Sequence, residues 1–69
     1  MLILVERNYT NDCEEIFKGE ADDFLFEHDN DSELEMLLDD FENSNLKTIN
    51  TFDDDGNILT ITKMQQLIY

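Results

Sequence analysis

Residues 46–63 read Leu46-Lys47-Thr48-Ile49-Asn50-Thr51-Phe52-Asp53-Asp54-Asp55-Gly56-Asn57-Ile58-Leu59-Thr60-Ile61-Thr62-Lys63, and this stretch decides the fold class. Leu46 to Phe52 and Ile58 to Lys63 are rich in Ile, Thr and Phe, side chains that suit a pleated, half-buried strand. Between them, Asp55-Gly56 is the residue pair that turns with positive φ require. Two such runs with a short polar connection predict a β-hairpin.

Upstream of the hairpin, Leu34, Leu37, Leu38 and Phe41 fall at i, i+3, i+4 and i+7, the apolar stripe of an amphipathic helix. Asp31 or Ser32 can cap it, and Ser32 with Glu35 makes a capping box. The stripe stops at Glu42, before the loop Asn43-Ser44-Asn45. Further back, Cys13, Ile16, Phe17, Ala21, Phe24 and Leu25 recur close to helical spacing, with Asn11 and Glu14 as a second capping box. This predicts a helix over 11–27, although Gly19 costs about 1 kcal/mol inside one. The alternative is a strand at Glu14 to Lys18, a turn at Gly19 and a short element at Phe24 to Glu27. Leu2 to Arg7 begins with an unbroken apolar run, the pattern of a strand covered on both faces. The expected architecture is α+β: a small antiparallel sheet, made of the N-terminal strand and the C-terminal hairpin, packed against one or two helices. The apolar tail Leu67-Ile68-Tyr69 should complete the core or meet a second subunit.

A chain of 69 residues is one domain with one small core. Such a domain buries only about 60% of its unfolded surface. A single cysteine, Cys13, cannot make an internal disulfide, and no Cys/His cluster suggests structural zinc. Self-association is the remaining support, so a homodimer is expected. The net charge of −14 raises the question of disorder, but Leu, Ile, Val and Phe supply 21 of the 69 residues. That share exceeds the roughly 20% below which acidic chains stay unfolded. The run Met1 to Val5 ends at Glu6 with no basic residue before it, so no signal peptide is expected. The lone thiol fits a cytoplasmic location, and an anionic membrane surface would repel the chain.

The charge is unevenly placed. Fourteen of the 18 acidic residues lie between Asp12 and Glu42, a segment holding one cation, Lys18. With the apolar stripe inward, Glu33, Glu35, Asp39, Asp40 and Glu42 must point away or sit at the rim. Helix neighbours at i and i+4 stand about 6 Å apart, a spacing similar in scale to that of phosphates along a DNA strand. Two like charges at 4 Å repel by about 1 kcal/mol even in bulk water. A net charge of −14 also exceeds the magnitude of roughly 2 to 8 that solubility needs. The pattern therefore points to a basic protein surface as partner. A solvated face, as in adaptation to high salt, is the plainer reading.

Other chemistry fits poorly. Close carboxylate pairs are inevitable among 18 acids and carry no information about general acid or base catalysis. His28 reads as a surface residue. Cys13 reads as a half-buried structural thiol, since Asp12, Glu14 and Glu15 disfavour its thiolate. A calcium loop counted from Asp29 would need glycine where Leu34 stands, and one counted back from Gly56 would begin at Thr51. No metal, cofactor or enzymatic activity is expected. Arg7, Lys18, Lys47 and Lys63 cannot supply the basic face that direct nucleic-acid binding needs.

A small proline-free chain with an acidic middle, Glu20-Ala21-Asp22-Asp23 and Asp29-Asn30-Asp31-Ser32-Glu33-Leu34-Glu35, resembles the acidic DNA-mimic inhibitors that bacteriophages make early in infection. Those proteins block the DNA-binding surfaces of uracil-DNA glycosylase, restriction enzymes, CRISPR effectors, RNA polymerase or the nucleoid protein HU. They share no fold or motif, so the resemblance lies in size and charge pattern and transfers no residue. It implies a host-takeover protein that competes with DNA in a bacterial cytoplasm. The expected target is a basic DNA-binding protein of the HU type. The expected contact residues are Glu20, Asp22, Asp23, Glu27, Asp29, Asp31, Glu33, Glu35, Asp39 and Asp40. The competing expectation is an adaptor or antitoxin-like protein that binds one basic partner through Phe24, Leu25, Phe26 and the tail, with the acids steering approach.

Overall fold

A computed structural model describes residues 1–64. The chain forms β1 (Leu2–Asn8), β2 (Cys13–Glu20), α1 (Ala21–Glu27), α2 (Ser32–Glu42), β3 (Thr48–Phe52) and β4 (Ile58–Lys63). The strands make one antiparallel sheet in the order β2-β1-β4-β3, with the helices on one face. The α+β class is as expected, with β2 as a fourth strand.

Pairing β1 with β4 sets the geometry. Asn8 stands opposite both Cys13 and Ile58, and Phe52 opposite Ile58. The β1–β2 and β3–β4 turns therefore emerge at the same end of the sheet, called here the turn end. Leu2, Glu20, Thr48 and Lys63 lie toward the opposite end. There, α1 begins where β2 stops, and the Ala21 N–H donates to the Met1 carbonyl at 2.9 Å. Helix α1 runs back to the turn end, and α2 returns.

Strand alternation places Ile3, Val5, Leu59 and Ile61 on the helix side, where they pack with Ala21 and Phe24 of α1 and Leu38 and Phe41 of α2. Ile3, Val5 and Ile61 are completely buried. The outer face of the sheet is more polar. Asn8 Nδ2 donates to Thr60 Oγ1 at 2.7 Å, and Thr60 Oγ1 to Asn50 Oδ1 at 3.0 Å. Among the described residues, strand β1 is thus fully covered on one face only; Leu2 and Leu4 are half-buried on the other.

Strand β2 corrects the expected helix over 11–27. Asn11 and Glu14 form no capping box, because Tyr9 to Asp12 is a turn closed by the Tyr9 N–H on the Asp12 carbonyl at 2.7 Å. The register explains the misleading spacing. Val5 faces Phe17 and Glu6 faces Glu15, so Ile16 is the extra residue of a β-bulge. Ile16 and Phe17 both pack against the core, which strict alternation would forbid. Helical periodicity is real only from Ala21 through Phe24 and Leu25. The strand-first alternative lies closer, with a helix starting directly after Glu20. Leu67-Ile68-Tyr69 lies outside the described residues.

The hairpin connection holds Gly56 at φ 83° with open space where a Cβ would stand. Gly56→Ala should therefore cost about 1–2 kcal/mol through backbone conformation alone. Ile61→Ala should cost about 2–5 kcal/mol by leaving a cavity. For a domain this small that is a large share of about 3–10 kcal/mol of total stability. Urea unfolding of both variants checks the order of the two effects.

Candidate functional site

The turn end carries an open groove of about 750 Å³ between the α1–α2 connection and the β3–β4 turn. Its apolar lining residues are Leu34, Leu37 and Phe52, with the buried Phe24 and Leu59 behind them. One wall carries Glu27, Asp29, Asp31 and Glu33; the other carries Asp53, Asp54 and Asp55. The sheet topology thus brings together carboxylates that lie far apart in the sequence.

The first wall is held by local backbone chemistry. The N–H groups of His28 and Asn30 both donate to the Leu25 carbonyl at 3.0 Å, and that of Asp29 to Phe26 at 3.2 Å. Asp29 and Asn30 both adopt left-handed backbone, at φ 58° and 53°. Asp and Asn tolerate that region better than other non-glycine residues. Asp31 then caps α2, its Oδ1 accepting from the N–H groups of Glu33 at 2.9 Å and Leu34 at 3.1 Å. Asp31, not Ser32, is the cap; Glu33 and Glu35 stand in the first turn, where the helix dipole favours anions. The His28 ring lies 4.4 Å from that of Phe24, and the residue is exposed.

Asp53 has a structural task. Its Oδ1 accepts from the N–H groups of Asn57 at 2.7 Å and Asp55 at 3.0 Å, and its Oδ2 from Asn57 Nδ2 at 3.3 Å. Arg7 Nε lies 2.9 Å from Asp53 Oδ2. The Arg7 N–H is not aimed along a hydrogen bond, so the contact is one of charge. Desolvation pushes the Asp53 carboxyl upward. The Asn57 backbone and side chain, the Asp55 N–H and the Arg7 charge outweigh it and hold the group below the usual carboxylate range.

At the opposite end, a smaller groove is lined by Asp22, Glu35, Asp39 and Glu42 around Met1. The Met1 α-amino group lies 3.1 Å from Glu20 Oε2 and 3.7 Å from Glu42 Oε2. The hydrogen bond to Glu20 raises the pKa of that amine, against desolvation, with further help from the Glu20, Glu42 and Asp22 charges. Lys63 Nζ donates to the Ser44 carbonyl at 2.8 Å and lies 4.7 Å from the centre of the Phe41 ring. Two cationic groups are therefore spent at this end, just as Arg7 is spent on Asp53 at the turn end.

All ten carboxylates expected to form the site are exposed. Glu27, Asp29, Asp31 and Glu33 share the turn-end groove. Asp22, Glu35 and Asp39 share the smaller one, with Glu20 beside it. Asp23 and Asp40 line neither groove. Among the described residues only Glu20 of the ten takes part in an ion pair. The sequence reading missed Asp54 and Asp55, because only the shared end of the two hairpins brings them to the helix connection. Among the described residues no three His, Cys, Asp or Glu side chains converge closely enough to hold a metal ion. The acids surround the groove without converging.

Two expectations need correction. Cys13 is exposed, not half-buried, because it opens the edge strand β2. The charge of Glu6, whose Oε2 lies 3.7 Å from Sγ, raises the thiol pKa, with desolvation and Asp12 adding to it. Phe24 is a core residue at 2% exposure and is closed to an adaptor contact, whereas Phe26 is 74% exposed.

No known family model, curated protein or solved structure matches the chain.

The Asp53 network yields a pH prediction. A carboxyl with a lowered folded pKa contributes stability above its unfolded pKa and loses it as pH falls through the folded value. Asp53→Asn should therefore melt below the unsubstituted protein at neutral pH. The gap should narrow as pH falls below the ordinary aspartate range. Melting curves of the two proteins across that range measure the gap directly.

Proposed function

We propose that this protein imitates DNA and occupies the nucleic-acid site of a basic DNA-binding protein, with the turn end as the principal contact. The observation that carries this reading is the set of carboxylates around the turn-end groove. Glu27, Asp29, Asp31, Glu33, Asp54 and Asp55 are exposed, drawn from two separate walls, and free of ion pairs among the described residues. Among the described residues the one cation lining that groove, Arg7, is already engaged by Asp53.

Magnitude supports the comparison with a duplex. A long axis of 38 Å carrying a net charge of −14 holds one excess charge per about 2.7 Å. Duplex DNA carries one per about 1.7 Å of axis. The protein therefore offers somewhat more than half the linear charge density of DNA, on a body whose loop and cap hydrogen bonds hold part of the charge in place. Carboxylates replace phosphate oxygens as acceptors for Lys and Arg, and charge-assisted hydrogen bonds of this kind are stronger than neutral ones. A nucleoid protein of the HU type, which offers a basic cleft, is the target class we favour. The adaptor reading keeps Phe26 but loses Phe24 to the core.

Binding to such a target should be abolished by DNA in excess, and salt should weaken it. The loss should stay below the about 10³–10⁵-fold seen for DNA-binding proteins with 6–10 phosphate contacts, because the charge density is lower. The combined change Asp29→Asn, Asp31→Asn, Glu33→Gln and Glu35→Gln should abolish capture of the target. Titration calorimetry of the purified pair at several salt concentrations checks this. Binding that ignores salt and survives the four amides would instead indicate apolar docking.

A further inference from the structure

The two edges of the sheet are built differently. An exposed edge presents unpaired N–H and C=O groups, and soluble proteins blunt such edges with charge, proline or a bulge. Edge strand β2 has two of these devices: the bulge at Ile16 and the charged residues Glu14, Glu15, Lys18 and Glu20. Edge strand β3, Thr48-Ile49-Asn50-Thr51-Phe52, has no charge, proline or register break. In a chain of net charge −14, its other edge is an uncharged strand whose Phe52 is 70% exposed.

Its free backbone groups can be identified. The Lys63 N–H donates to the Lys47 carbonyl at 2.8 Å, and the Asp53 N–H to the Asn57 carbonyl at 2.9 Å. Antiparallel alternation then turns Ile49 and Thr51 toward β4, and Thr48, Asn50 and Phe52 outward. Among the described residues no strand pairs with that outer edge.

We propose that β3 pairs with β3 of a second copy, antiparallel about Asn50, to join two four-stranded sheets into one. In this register Asn50 faces its own counterpart and Thr48 faces Phe52, so all three outward residues find partners. Lys47 of each copy comes beside the acidic β3–β4 turn of the other, so charge complementarity selects the same register. The two-fold axis stands normal to the sheet. Both pairs of helices therefore lie on one face, and the two turn ends point in opposite directions. This association borders the β3–β4 turn that also lines the turn-end groove, but its test needs no target protein. Its salt dependence has the opposite sign, because two copies of like net charge repel and screening relieves the repulsion.

Sedimentation across a concentration series tests the pairing. The mass should rise from 8.2 kDa toward twice that value, more readily at high salt. Asn50→Pro removes an outward N–H and no β3–β4 backbone bond; it gives up only the exposed bond from the Thr60 hydroxyl to Asn50 Oδ1, and should keep the circular dichroism of the fold and remain monomeric. Lys47→Glu sets like charges opposite each other twice and should weaken association by about ten-fold. Hydrogen exchange on the unsubstituted chain provides a readout that survives an unfolded proline variant. The Thr48, Asn50 and Phe52 amides should gain protection as concentration rises. A monomer at every concentration and salt, a folded Asn50→Pro protein that still dimerises, protection independent of concentration, or protection gained along β2 would each overturn the proposal.

Discussion

The pairing of β1 with β4 is the constraint on which the rest of the structure depends. It brings the first strand of the chain beside the last described one and makes both central. Ile3, Val5, Leu59 and Ile61 then form one apolar floor for the helices. The same pairing puts two hairpin turns and the helix connection at one end. Charge placement in this protein is therefore a consequence of topology. Acidic residues that the sequence separates by some twenty positions face one another because antiparallel strands reverse direction.

That gathering opposes folding, since like charges are brought closer than in the unfolded chain. The compensating interactions are few and local. Asp31 is bound to helix amides, and Asp53 to turn amides and Arg7. Lys63 and the Met1 amine attend to the opposite end of the fold. Cations that could have softened the exposed acids are used instead to hold the turn, the end of α2 and the first residue. The outcome is a small core with a fixed and largely uncompensated carboxylate surface.

Much of this was legible from residues alone. The hairpin, the α2 stripe from Leu34 to Phe41 and the first strand follow from periodicities that the core enforces. Strand β2 did not, because the bulge at Ile16 turns two consecutive apolar residues inward and hides the two-residue period. The separate helix from Ala21 then looked like the end of a longer one. Exposure of the ten acids followed from their chemistry. Their division between two grooves did not, since Glu33 and Glu35 differ only in which flank of α2 they occupy. Asp54 and Asp55 were invisible as site residues until the register fixed which end their turn shares.

The carboxylates of the turn end are proposed to act together as a substitute for DNA. The most direct test is an amide NMR titration of the isotope-labelled protein with a purified basic nucleoid protein of the HU type, with and without competing duplex DNA. Perturbations should concentrate in residues 27–33 and 53–55 and reverse when the duplex is added. Perturbations centred on the outer face of the sheet, or a complex that persists in excess duplex, would contradict it.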